Sequence, residues 1–218
     1  MQLTLRDEHM LRWLAMVRFA DANAIRWAMS GLAGRDDGQP VALRKAQRWM
    51  MRMASVGVID RAVPTFQSAA VAWTTDPFYG RKPDIYRQTA RHDAAVALVS
   101  AIFLSRGFEW KRDLRSEYSR DHQADGVATR GDEVVLVEVE LTPKAVDRYR
   151  PICQRHALRL EDGEVSRIDY FCTPNAARTI SREADRWMFR DVRPRLVVIP
   201  AFDARGKWAG DPQASSAI

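Results

Sequence analysis

Long apolar runs, cysteine and lysine are scarce in this 218-residue chain. No stretch approaches the roughly 18 consecutive apolar residues of a membrane-spanning helix, and the N-terminus lacks the apolar core of a signal peptide. The expectation is a cytoplasmic protein with no membrane partner. Only Cys153 and Cys172 are present, without metal-ligand spacing. They are read as reduced thiols, with a disulfide as the alternative. Lysine occurs only at positions 45, 82, 111, 144 and 207, so arginine carries most of the positive charge behind the net +6. A polyanionic partner is one reading of that charge and the codon bias of a GC-rich genome is the other, so placement has to decide. A nucleophile elbow, a phosphate-binding glycine loop and a zinc-type Cys/His pattern are all missing.

With 46% hydrophobic residues, the chain can bury one large core or two small ones. Residues 4–20 carry the helical period, with Thr4 as N-cap and acids in the first turn. Asp21 caps a shorter helix to about Leu32, and Gly34–Pro40 is a turn. A third helix spans Val41–Val56, burying Leu43, Ala46, Trp49, Met50 and Met53. Two short β-prone segments follow, Val58–Val63 and Val71–Thr74. Three helices and then a β-hairpin is the order of a winged helix-turn-helix. The outer face of the third helix carries Arg44, Arg48 and Arg52 in an i, i+4 row beside Lys45 and Gln47. Such a row meets phosphates and base edges in a major groove; an ordinary solvated helix face is the plainer reading. Trp13, Trp27, Trp49 and Trp73 are expected in this domain's core.

The expected division is a winged helix over 1–76, a linker over 77–83, a second domain over 84–203 and a flexible tail over 204–218. The second domain opens with a long helix, Asp84–Ser105, apolar nearly all round. Strands follow near Phe108–Glu117, Gln123–Thr129 and Glu133–Leu141. Next come a helix at Lys144–Leu160, a strand at Arg167–Cys172, a helix at Asn175–Phe189 and a strand at Arg195–Ile199. The acidic strand carries Glu138 and Glu140 at i, i+2, hence on one face. Asp125 lies on the preceding strand, joined by a Thr129–Asp132 turn. Clustered carboxylates raise one another's pKa and need a cation, a proton or nearby arginines. Thr142 and Pro143 are expected to start the following helix, and Pro151 to kink or interrupt it. Its basic residues Lys144, Arg148 and Arg155 could hold phosphates or neutralise the acids directly. His92 is read as a buried structural histidine, His122 as a loop histidine within reach of a metal or phosphate, and His9 and His156 as lacking partners.

This order of elements, with an acid on the second strand and an acid pair on the third, resembles the PD-(D/E)XK nuclease superfamily. The resemblance makes the fold class α/β (α+β): a winged helix-turn-helix followed by a mixed sheet flanked by helices. It places Asp125 at the motif aspartate and Glu138 at the first acid, with Mg²⁺ or Mn²⁺ held by Asp125, Glu138 and Glu140. The chain departs from the motif twice, with Ala124 in place of proline and Glu140 where a lysine belongs. Lys144 would supply the missing charge, and Glu117 is a further acid. A winged helix, a helix bearing His92 and an acid-x-acid strand followed by a helix with Tyr149 also resemble the plasmid replication-relaxation family, over roughly residues 8–175. That resemblance implies a double-stranded DNA-binding protein of a plasmid, phage or other mobile element, acting in regulation, replication or transfer. The nuclease-like domain would extend the DNA contact or mediate homodimerisation, with catalysis retained or lost. The alternative is an active Mg²⁺- or Mn²⁺-dependent DNA endonuclease using Asp125, Glu138, Glu140 and Lys144.

Overall fold

A computed structural model describes residues 2–76, 82–113 and 122–209. The chain is mixed α/β and forms two compact units, Met1–Phe108 and Glu109–Ile218.

The first unit begins with α1 (Leu5–Val17). Thr4 and Asp7 close a capping box there, each side chain bonding the other's backbone N–H, which satisfies two otherwise orphan donors. A two-residue strand β1 (Ala20–Asp21) precedes α2 (Ala22–Gly31), capped by Asp21 on Ala24 N–H at 2.8 Å. Then come α3 (Leu43–Ser55), β2 (Ile59–Ala62) and β3 (Val71–Thr74), the strands ordered β1-β3-β2 and all antiparallel. β1 lies outside the sequence reading, since two residues carry no alternation to detect. All four tryptophans expected in this core are buried. Leu43, expected there too, is 40% exposed, because it is the first residue of α3 and stands on its outer side.

Helix α4 (Ala90–Leu104) starts later than its apolar pattern suggested. Asp84 accepts from Tyr86 N–H at 3.0 Å, an Asx turn that competes with helix just ahead of it. The helix packs on α2 and falls within the first compact unit, which ends at Phe108; the linker expected at 77–83 lies largely outside the described residues. The approach is close enough that a Cβ on Gly31 would sit 2.1 Å from the Leu104 carbonyl oxygen.

The second unit is a five-stranded sheet of order β4-β5-β6-β7-β8. Strands β4 (Glu109–Lys111), β5 (Gly126–Arg130) and β6 (Glu133–Glu140) form an antiparallel meander, with β5 and β6 joined through Gly131 and Asp132. Strands β7 (Arg167–Cys172) and β8 (Leu196–Ile199) then add in parallel, each after a helix, α5 (Val146–Glu161) and α6 (Pro174–Trp187). One core packs both helices on the same sheet face: Tyr149, Cys153, Ala157 and Leu160 from α5, Ala176, Ile180 and Ala184 from α6, and Leu136, Ile168, Tyr170, Cys172 and Leu196 from the sheet. Gly126 is required where it stands, since a Cβ there would come within 2.1 Å of the Trp110 ring.

Three local expectations change here. The N-cap of α5 is Ala145, not Thr142. The 141–145 segment stays extended because Pro143 disfavours helix at the residue before it and Lys144 N–H is held by the Tyr149 hydroxyl at 2.9 Å. Pro151 lies inside an uninterrupted helix. The described part of the tail is ordered: Asp203 accepts from the N–H groups of Arg205 and Lys207, and Trp208 stacks on Phe171. Both cysteines are free and buried, so the disulfide alternative is not realised.

Candidate functional site

The acid pair on β6 falls on one face, as its spacing required, and that face is buried against α5 and α6. In the parallel register Glu138 pairs with Tyr170 and Glu140 with Cys172, both core residues under α5 and α6. Glu138 is 2% and Glu140 3% exposed. Two ionised carboxylates in that setting need compensation from the protein, and each has its own.

Glu140 is held from the loop and first turn that follow it. Lys144 Nζ lies 2.5 Å from Oε2, and the Tyr149 hydroxyl donates to Oε1. Burial would lower the Lys144 pKa, but Glu138 and Glu140 outweigh it and raise the value, so the ammonium is firmly charged. Burial and the Glu140 carboxylate together push the Tyr149 phenol up, which keeps it a donor. The lysine anticipated as helper is therefore present, placed before α5 rather than within it.

Glu138 is held by histidines. His122 Nε2 hydrogen-bonds Oε1, and His156 Nε2 lies 3.3 Å from the same oxygen. His156 also meets the Tyr170 hydroxyl at 2.9 Å. Burial alone would raise the Glu138 pKa, but the two histidines more than offset it and hold the carboxyl well below its usual range. Burial pushes the His156 imidazole below its ordinary value despite Glu138, so at neutral pH it is a neutral donor through Nε2. Its Nδ1 is then a buried atom with no hydrogen-bond partner among the described residues.

Asp125 stands opposite Glu138 across the β5–β6 pair. Its backbone N–H donates to Val137 carbonyl at 3.1 Å, and its Oδ2 accepts from Val139 N–H at 2.8 Å. The segment carrying Asp125 and His122 is anchored from α5: Arg159 makes a two-pronged contact with buried Asp113 at 2.9 and 3.1 Å. Asp113 in turn accepts from Ala124 N–H at 3.0 Å.

Asp125, Glu138, Glu140 and Lys144 thus do come together. Arg148 and Arg155 do not join them: both lie on the exposed side of α5, and the acids are neutralised by lysine, tyrosine and histidine instead. Glu117 lies outside the described residues. Two participants were misjudged in the sequence: His122 was not matched to Glu138, and His156, read as lacking a partner, meets both Glu138 and Tyr170. The signal for His156 was its place on the apolar stripe Tyr149, Cys153, His156, Leu160 of α5. A histidine at a core position of a helix covering an acidic strand has a carboxylate to meet. His92 is not buried; its side chain is 36% exposed beside Asp93.

A Mg²⁺ ion on Asp125, Glu138 and Glu140 would have to displace Lys144 and Tyr149 from one carboxylate and two imidazoles from the other. Mg²⁺ demands octahedral oxygen ligands, and this donor set, with nitrogens directed at the carboxylates, does not fit it.

In the first unit, α3 presents Arg44, Lys45, Gln47, Arg48, Met51 and Ser55 to solvent. Among the described residues none of Arg44, Lys45 and Arg48 makes an ion pair. Arg52 is different. It is half-buried and grips Asp7 with Nη1 to Oδ2 at 3.2 Å and Nη2 to Oδ1 at 2.5 Å, while Trp49 Nε1 donates to Oδ1 at 2.9 Å. Burial would raise the Asp7 pKa, but Arg52, Thr4 and Trp49 hold it far below the carboxylate range.

No family model, curated protein or solved structure matches the chain. No helix of the described residues is long and apolar enough to cross a membrane.

Proposed function

We propose that the protein binds double-stranded DNA through α3. The observation that carries the reading is the unpaired basic face of that helix: Arg44, Lys45, Gln47 and Arg48 are exposed, with Met51 beside them for apolar contact with base edges. The order α1-β1-α2-α3-β2-β3, with the β2–β3 hairpin directly after α3, supports a winged helix-turn-helix with α3 as its recognition helix. A basic helix backed by a wing meets phosphates at two places, which fixes its register on a duplex. With the replication-relaxation resemblance of the sequence, the reading extends to a protein of a plasmid, phage or other mobile element, acting in regulation, replication or transfer. The meander plus parallel strands of the second unit supports a PD-(D/E)XK-like domain whose acids are buried and internally balanced, a scaffold or dimerisation domain.

The test is fluorescence anisotropy with duplex DNA across a salt series. Arg44→Ala and Arg48→Ala should each weaken binding and reduce the slope of log K against log salt by about 1. Unchanged affinity in the double variant would remove the reading. The second reading, a Mg²⁺- or Mn²⁺-dependent endonuclease, starts from the convergence of Asp125, Glu138, Glu140 and Lys144 and requires the two glutamates to be released from the histidines, Lys144 and Tyr149 that hold them here. It requires nicking of supercoiled DNA that disappears in Glu138→Ala while DNA binding persists.

A further inference from the structure

The Glu138 side of the cluster has donors that the nuclease comparison does not use. His122, Glu138 and His156 come from three separate elements, and one ligand atom of each lies within 4.8 Å of the other two. Both imidazole Nε2 atoms converge on the same oxygen, Glu138 Oε1. Tetrahedral zinc, with bonds of about 2.1 Å, sets its ligand atoms roughly 3.4 Å apart; the His156 Nε2 to Glu138 Oε1 separation is 3.3 Å.

The trio is also held in place. Glu138 sits in the central strand of the sheet. His156 is fixed in the α5 core stripe with the Tyr170 hydroxyl against it. His122 belongs to the segment pinned through Ala124 and Asp113 to Arg159. Two of the side chains are nearly sealed from solvent, whereas His122 is 17% exposed and forms the open side.

We propose that His122, Glu138 and His156 bind a zinc-class divalent transition-metal ion, three protein ligands with the fourth position left open. Two imidazoles and one carboxylate suit zinc and its first-row neighbours, whereas Mg²⁺ selects all-oxygen shells. To bind the ion each imidazole frees its Nε2 of the proton, which passes to the ring's Nδ1 or to solvent, and His122, now in close contact with Glu138 Oε1, draws back to make room. An open fourth position is the arrangement of zinc sites that bind water or a substrate oxygen rather than purely structural ones. This site lies in the second unit and stands or falls independently of DNA binding by α3.

The full chain, stripped with a chelator, would be titrated with Co²⁺ as a spectroscopic probe and then with Zn²⁺ in competition. One equivalent of Co²⁺ should give the visible bands of a four- or five-coordinate ion, lost on adding Zn²⁺ and unaffected by excess Mg²⁺. Removing a ligand should cost more than the 10–100-fold that loss of a ligand's supporting partner costs, so His122→Ala should weaken binding by about 100-fold or more. His122 is chosen because it is the most exposed of the three. The double variant His9→Ala/His92→Ala, which alters histidines outside the trio, should bind as the unaltered protein does. Should His122→Ala not fold, the unaltered chain still decides: Zn²⁺ must raise its Tm and a chelator must reverse the rise. Absent Co²⁺ bands, equal affinity in His122→Ala, or loss in the His9/His92 variant would each overturn the site.

Discussion

Arg52→Ala separates two roles that one row of arginines suggests are the same. Arg44 and Arg48 face solvent, but Arg52 closes a buried node in which Asp7 also receives Thr4 and Trp49. Breaking a buried ion pair from one side costs roughly 3–5 kcal/mol. The Arg52 side chain is 36% exposed, so water can replace part of what is lost, and about 2 kcal/mol is expected. In a chain of this length that is a fall in Tm of about 4–8 °C. Arg48→Ala should leave Tm within about 1 °C. Circular dichroism melts give the stabilities, and anisotropy with duplex DNA well below both melting points gives the affinities.

Arg48→Ala should thus lose DNA affinity without losing stability, and Arg52→Ala the reverse. The pH dependence has a defined sign. Asp7 has a depressed folded-state pKa, so its contribution is complete above the ordinary carboxylate value of 3.8 and is lost as pH falls through the lower folded value. The stability gap between the unaltered chain and Asp7→Asn should therefore be widest above about pH 4 and shrink below it. If Arg52→Ala melts with the unaltered chain yet binds DNA as poorly as Arg48→Ala, the node is not structural and the assignment is refuted.

Lys144→Met leaves Glu140 buried with Tyr149 alone and should destabilise by about 2–4 kcal/mol; in Lys144→Met/Glu140→Leu most of that loss should return, measured by urea unfolding. Cys153 and Cys172 are pushed by burial up to about 11 and about 12, so their thiolates are negligible at pH 8. A thiol reagent should modify neither until denaturant is added, and fast native-state labelling would contradict the packing. Gly126→Ala forces the Trp110 ring or β5 to move and should cost about 1–3 kcal/mol, with a shifted tryptophan emission as its signature.

The element order was readable because its signals are local. Thr4 and Asp21 announce two helices, and the apolar run Val134–Leu141, broken only by Glu138 and Glu140, announces β6. Partnership across elements was less readable. The i, i+2 spacing placed Glu138 and Glu140 on one face without saying which face, because β6 is buried on both sides from Val135 onward. Arg52 looked like a third member of a basic row since nothing near it in sequence reveals Asp7, 45 positions earlier. His156 was a polar residue on an apolar stripe, a pattern that predicts a partner but not its identity. The unit to which α4 belongs was hard to read for a similar reason. An all-round apolar helix such as α4 fits either neighbour by periodicity, and packing on α2 assigned it.

The two glutamates of β6 are compensated in chemically different ways, and the difference decides what the cluster can do. Lys144 remains charged under all ordinary conditions and is tethered four residues from Glu140, so that pair is permanent. It behaves as a built-in cation where a nuclease would hold its metal. The histidine pair on Glu138 differs, because an imidazole nitrogen that gives up its proton becomes a ligand. Glu140 thus closes the oxygen-ligand route on its side, while Glu138 keeps one open to a softer ion. Replacing Glu140 should change stability and leave metal affinity nearly intact; replacing Glu138 should abolish metal binding.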